Sequence, residues 1–332
     1  MSNRSGRVAG VVKWLAVAAL ALTAGASAQY QAPQHTQPAP FMAALPPEVS
    51  AYLADLGLSS ERDRDAAWTL AEHRRVDRAL AALQPQRTGI VDAYVMAIAL
   101  DSDPVFGREA REAGRVLSRR YDAAGRTIVL AGTDGSAASS LPRGSPDTLA
   151  LALARIAELM DPKEDVLVLY TTSHGAPIGI VYNDADQGFG MISPQRLWAM
   201  LGKLGIERRM VLISACYSGV FVPLLASEDS VVITASSADR TSFGCQADND
   251  WTFFGDALIN HALRKAQPIG AAGTEAVGLI GAWEAQGKLT PSQPQVSIGS
   301  RTGAWLAALD ARGPKATSMP VGRPAVSMLD GK

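Results

Sequence analysis

Two cysteines and four histidines occur in this 332-residue chain, and one of each falls where a sheet edge could use it. The run Val166-Leu167-Val168-Leu169-Tyr170 leads into Thr172-Ser173-His174-Gly175, and Met210-Val211-Leu212-Ile213 leads into Ser214-Ala215-Cys216-Tyr217-Ser218-Gly219. Short apolar runs of this kind predict buried strands. In open α/β sheets, sites form beyond the carboxyl ends of the strands, so the sequence delivers an imidazole and a thiol to one edge. A thiol beside a base is a nucleophile for acyl transfer, and an imidazole can give and take the protons that step needs. Gly175 allows close backbone approach. Its N–H and that of Cys216 are placed to donate to an oxyanion. For Cys216, nucleophile and small buried thiol both remain open readings, because thiol reactivity is set by surroundings. His35 falls in a linker, and His73 and His261 fall on helices among charged neighbours, where a structural or surface role is the expectation.

The elements that must position these groups follow from periodicity and punctuation. Residues 48–83 read as helical with a charged, solvated face. From residue 89 strands and helices alternate: a strand over 90–100, a helix over 105–120, a short strand over 127–131 and a Gly/Ser/Pro loop over 134–143. Ser145-Pro146-Asp147 then starts a helix running to Met160, with proline just inside its start. After the strand at 166–171, segments 178–182 and 189–192 form a hairpin around 183–188. Asn183, Asp184 and Asp186 resemble the opening of a calcium loop, but the terminal bidentate glutamate is missing and a hairpin turn is preferred. A helix over 194–204, strands over 210–213 and 231–234, and helices over 252–265, 273–286 and 302–311 complete the pattern. Repeated strand–helix–strand units imply an α/β fold, with a mostly parallel sheet covered on both faces.

The chain ends are read separately. Arg4, Arg7 and Lys13 precede an apolar stretch at 14–21 and the small residues Ala26-Ser27-Ala28, which predicts a signal peptide over 1–28. That stretch is too short for a membrane span. A Pro/Gln-rich linker (29–47), a helical extension (48–88), a catalytic domain (89–268), C-terminal helices on the core (269–312) and a disordered tail (313–332) complete the organisation. A signal peptide implies a periplasmic or extracellular protein, with no membrane span after its removal. Formal net charge is -1, with 19% charged and 47% hydrophobic residues. No basic excess points to nucleic acid, and two cysteines allow at most one disulfide.

Taken together, Ser173-His174-Gly175, Ala215-Cys216 and the segment 234–245 resemble the legumain family of cysteine peptidases, in its bacterial branch. The resemblance covers about residues 90–264 and, more weakly, 295–309. It implies a caspase-like three-layer α/β/α sandwich and an endopeptidase acting on protein or peptide, with no cofactor and no metal. By the same resemblance Cys216 attacks the scissile carbonyl, His174 is acid and base, and Gly175 and Cys216 form the oxyanion hole. Ser214 stands where legumains carry the glutamate of the pocket that selects asparagine. Gly255-Asp256 matches a second pocket element, so Ser214, Asp256 and Ser236 are the expected substrate-binding residues. Asp101 falls near the position that orients the histidine, and could instead cap the following helix.

A transpeptidase or ligase using the same site is an alternative, since sequence does not show whether water or an amine resolves the acyl-enzyme. A peptide-binding protein of weak activity is another, against which the intact His174 and Cys216 argue. For Cys245, a disulfide to Cys216 that silences the enzyme and a buried structural thiol are the two readings, the second preferred.

Overall fold

A computed structural model describes residues 45–132 and 139–329. The expected signal peptide and nearly all of the expected linker lie outside them, as does part of the loop expected over 134–143.

In chain order the described elements are α1 (Pro47–Leu56), β1 (Ser59–Glu61), α2 (Ala66–Ala81), β2 (Ala93–Ala99), α3 (Pro104–Arg120), β3 (Thr127–Leu130), α4 (Pro146–Leu159) and β4 (Val166–Thr172). There follow β5 (Gly175–Ala176), β6 (Gly179–Asp184), β7 (Gly188–Ile192), α5 (Pro194–Lys203), β8 (Arg209–Ser214), α6 (Val222–Leu225), β9 (Ser230–Thr234), α7 (Ile269–Gln286), β10 (Gln295–Ile298) and α8 (Gly303–Arg312).

The central sheet has the order β10-β9-β8-β4-β2-β3. All its pairings are parallel except that of β10, which runs antiparallel to β9. Every residue of β2, β4, β8 and β9 is buried, which is why these strands read as continuous apolar runs. Alternate residues serve opposite layers. Ala93, Val95, Ala97, Val168, Tyr170, Leu212 and Ile233 pack with Leu117, Phe254, Leu258, Ala272 and Leu309. Tyr94, Met96, Ile98, Leu169, Val211 and Val232 pack with Leu153, Ile156, Leu197 and Leu225. The expected three-layer α/β/α sandwich with a mostly parallel sheet is the observed architecture. α4 starts as its sequence dictates: the Ser145 hydroxyl accepts the Thr148 N–H (3.1 Å), and the Thr148 hydroxyl accepts the Ser145 N–H (2.9 Å).

A second, antiparallel sheet, in the order β1-β7-β6-β5, stands at the carboxyl end of the first. Ala185 and Asp186 take positive φ at its hairpin turn, the geometry of a tight hairpin.

Three expectations are corrected. The extension is not one helix over 48–83. Gly57, at φ 73, caps α1 in the left-handed region, and the chain then adds β1 to the hairpin edge. Half-buried Arg143 fixes this junction by pairing with Glu61 (2.9 Å), Asp184 (3.2 Å) and the Tyr182 hydroxyl. The helix expected over 252–265 does not wind as a regular α-helix: Gly255–His261 is a π-helix and Ala262–Arg264 a 3-10 turn. The tail expected to be disordered is packed on the core through residue 329. Val321 exchanges hydrogen bonds with the Asn260 side chain (2.9 and 3.0 Å), and its carbonyl also accepts the Trp251 indole N–H (2.8 Å). Proline and glycine made this segment look unstructured, but a chain needs no helix or strand to dock when its backbone groups find partners.

Among the described residues no helix is long and apolar enough to cross a membrane.

Candidate active site

β4 and β8 are neighbours in the sheet, with Thr172 opposite Ser214. The chain therefore leaves both strands at the same level, and His174 and Cys216, each two residues farther on, meet there. Their backbones touch at Gly175. A Cβ at that position would lie 2.0 Å from the Cys216 carbonyl oxygen and 3.0 Å from its nitrogen, so only glycine fits.

The hairpin holds the His174 loop. The His174 carbonyl accepts the Val181 N–H (3.0 Å), and the Ser173 hydroxyl donates to the Val181 carbonyl (2.6 Å). The same β6 strand holds the loop after β2. Asn183 donates to the Leu100 carbonyl (3.0 Å), and its own carbonyl accepts the Ser102 N–H (2.9 Å). One strand thus sets the loops bearing His174, Asp101 and Asp103 against each other.

Asp103 places Oδ2 3.4 Å from His174 Nε2. It occupies the N-cap position of α3, yet its side chain makes no cap hydrogen bond. Asp101, the expected orienting residue, also places a carboxylate oxygen within 4.8 Å of the ring nitrogen. Asp101 is buried and accepts the Asp103 N–H (2.8 Å), so it shapes the turn that aims Asp103. Sequence spacing could not separate these two aspartates. Phe106 meets the other side of the ring edge-on at 5.0 Å. Oxygens of Asp101 and Asp103 and a nitrogen of His174 lie within 4.8 Å of one another. These donors could hold a cation.

Cys216 follows β8 and precedes Tyr217, whose φ of 57 lies in the left-handed region. That bend turns the chain away and leaves the thiol half-buried at the sheet edge. Behind it, the Tyr217 N–H donates to the Arg240 carbonyl (2.8 Å). The thiol itself rests on Ser242, whose N–H donates to Sγ at 3.3 Å and whose carbonyl and hydroxyl oxygens lie 3.6 Å away. Ser242 was not singled out by the sequence; it lies in an irregular loop where no periodicity points to it.

The Cys216 thiol is pulled down to about 6, chiefly by a hydrogen bond from Cys245 and further by Ser242 and the charge of His174, against the opposing effect of burial. Cys245 is pushed well above the ordinary thiol range by that same contact and by burial. The thiolate is the nucleophilic form, so Cys216 is the more reactive of the two thiols, while Cys245 holds its proton.

The three expected substrate-binding residues do not face a substrate. Ser214 is buried and its hydroxyl lies 3.0 Å from that of Thr252. Below it the buried carboxylate of Glu109 accepts hydrogen bonds from the hydroxyls of Tyr170 (2.5 Å), Thr172 (2.8 Å) and Thr252 (2.8 Å), and from the Thr252 N–H (2.9 Å). Strand alternation does put Ser214 and Cys216 on one side, but the chain has left the strand by Cys216 and the shared face is the inner one. Asp256 has no exposure; it accepts the Asn260 amide and the Ala325 N–H, both at 2.7 Å. Gly255 is there because a Cβ would strike the Glu109 carboxylate at 2.1 Å. The Ser236 hydroxyl accepts the Ser218 N–H (3.2 Å) and donates to the Ala215 carbonyl (3.3 Å), stitching the Cys216 turn to the loop after β9. All three are scaffold.

Residues 147–274 match the model of the Peptidase C13 family, a span that takes in His174, Gly175, Cys216 and Cys245 and begins after Asp103. The resemblance drawn from the two motifs is borne out over those residues. No curated protein matches the chain. Among solved structures it is similar to caspase-1 from Spodoptera frugiperda, at 15% identity and TM-score 0.43 over 65% of this chain and 92% of that one. It is also similar to pro-sf-caspase-1, at 12% identity and TM-score 0.43 over 64% and 92%.

Proposed function

We propose that this chain, which matches the Peptidase C13 family over residues 147–274, is a cysteine endopeptidase acting through Cys216 and His174. The observation that carries the reading is the convergence of His174, Gly175 and Cys216 at two adjacent strand ends.

The chemistry follows from the placement. The Cys216 thiolate attacks the scissile carbonyl, and the tetrahedral oxyanion is stabilised by the Gly175 and Cys216 N–H groups. One such donor contributes about 3 kcal/mol in comparable sites. His174 protonates the departing amine, then removes a proton from the water that hydrolyses the acyl-enzyme. Asp103 positions the imidazole. The signal-like N-terminus supports export, so the substrate would be a protein or peptide met outside the cytoplasm.

The residue preferred before the cut is not set by Ser214 or Asp256, since both are enclosed. The test is cleavage of a fluorogenic peptide library, with an acyl-directed covalent probe mapped by mass. Turnover abolished by Cys216→Ala and by His174→Ala, with the probe on Cys216, is the expected result. Turnover that survives Cys216→Ala refutes the assignment.

A further inference from the structure

The second thiol of the chain stands beside the first. Ser242 supports the Cys216 sulfur at 3.3 Å through its N–H, and three residues later the Cys245 thiol comes close enough to Cys216 and Ser242 for the three groups to influence one another's titration. The return is built by Gly244, at φ 92, where a Cβ would lie 2.8 Å from Thr252 Cα and 2.9 Å from the Phe253 nitrogen. The following backbone is tied down by the Phe253 N–H, which donates to the Phe243 carbonyl (2.9 Å). Cys245 then packs on the small apolar cluster of Ala99, Val105, Phe106, Ala110 and Ala131. Phe106 of that cluster is the ring that meets His174. Both thiols are free, not joined.

We propose that Cys245 is the resolving thiol of Cys216: on exposure to a peroxide the two form an intramolecular disulfide that switches the site off reversibly. The proposal rests on Cys216 being the nucleophile of the peptidase reading. The same thiolate that attacks a carbonyl attacks a peroxide oxygen. The O–O bond breaks, water leaves after one proton is taken up, and Cys216 becomes a sulfenic acid. Cys245 then loses its proton and attacks the Cys216 sulfur. The S–O bond breaks and a second water departs. Two thiols have given up two electrons, and one peroxide has become two waters. A small thiol reductant reverses the bond by exchange. Without a second thiol in contact, a sulfenic acid proceeds to sulfinic acid, which such reductants do not restore. Cys245 is suited to the second step only: its proton is held firmly by burial and by Cys216, so Cys216 is oxidised first.

The experiment uses the purified, fully reduced chain, wild type and Cys245→Ser, the serine retaining a hydroxyl donor. Each is treated with hydrogen peroxide, and half of each sample is then treated with dithiothreitol. Free thiols are alkylated, peptides are mapped by mass and peptidase activity is measured. In the wild type a linked Cys216–Cys245 peptide lighter by two hydrogens is expected in monomeric protein, with activity lost and then restored by dithiothreitol. In Cys245→Ser the same peroxide dose should leave Cys216 carrying two oxygens, and recovery should fall at least about tenfold below wild type. No linked peptide in the wild type, a link between two chains, or equal recovery in the variant overturns the proposal. A linked pair in a reduced chain that cleaves no peptide would leave the thiol pair standing and sink the peptidase reading alone.

Discussion

The Cys216 thiol should titrate near pH 6, and Cys245→Ala should move it. An unperturbed thiol here would titrate at 9.0, whereas the site holds Cys216 at about 6. At pH 7 the thiolate fraction would thus be about 90% instead of about 1%. The first cause is the hydrogen bond from Cys245, and Ser242 contributes independently. A hydrogen bond to a charged acceptor contributes roughly 1.5–3 kcal/mol. The low end applies at a half-buried edge, and one pH unit corresponds to about 1.4 kcal/mol. Removing the Cys245 thiol should therefore raise the midpoint from about 6 to about 7, and lower the alkylation rate at pH 6 about fivefold, as the thiolate fraction falls from about one half to about one tenth. The direction is fixed by sign: a donor to sulfur favours the anion, so its loss favours the protonated thiol at a given pH. Iodoacetamide modification of the Cys216 peptide, followed by mass from pH 4.5 to 9, reads the midpoint directly. A wild-type midpoint above about pH 8, or a Cys245→Ala curve superimposed on the wild type, would refute the reasoning.

Gly175→Ala should cut kcat at least about 100-fold in peptide cleavage, because its methyl would meet the Cys216 carbonyl at 2.0 Å and displace the oxyanion donors. Asp103→Asn should lower kcat about tenfold, part of the roughly 100-fold that a proton-transfer group supplies, since it loosens an imidazole held by a carboxylate 3.4 Å away. An unchanged kcat would remove Asp103 from the site. Asp256→Asn should cost about 1–3 kcal/mol in denaturant unfolding through its bond to the tail at Ala325, with the residue preference before the cut unchanged; an altered preference would return Asp256 to the pocket. Glu109→Ala should cost roughly 3–5 kcal/mol, since it leaves four donors beneath the catalytic strands without their acceptor, and unfolding within 1 kcal/mol of wild type would contradict that network.

What the sequence determined by itself was the frame and the meeting of His174 and Cys216 at one sheet edge. Continuous apolar runs such as Ala93–Ala99 and Val166–Thr172 could bury both faces only between two helical layers. The residues just past β4 and β8 then had to share an edge. Gly175 was legible for the same reason, since a glycine after a strand-end histidine has few uses other than close approach. Ser145-Pro146 announced α4 because a cap is a local interaction. The tertiary structure alone decided what depends on loops meeting across long sequence distances. It set both Asp101 and Asp103 beside His174, because β6 holds the loop after β2 against the His174 loop. It enclosed Ser214 and Asp256, one by the Glu109 network from α3 and the other by a tail that comes 69 residues later. It also brought Cys245 onto Cys216 through a glycine at φ 92. Local propensity and periodicity act over a few residues, whereas these contacts exist only once the sheet has fixed the distance between its loops.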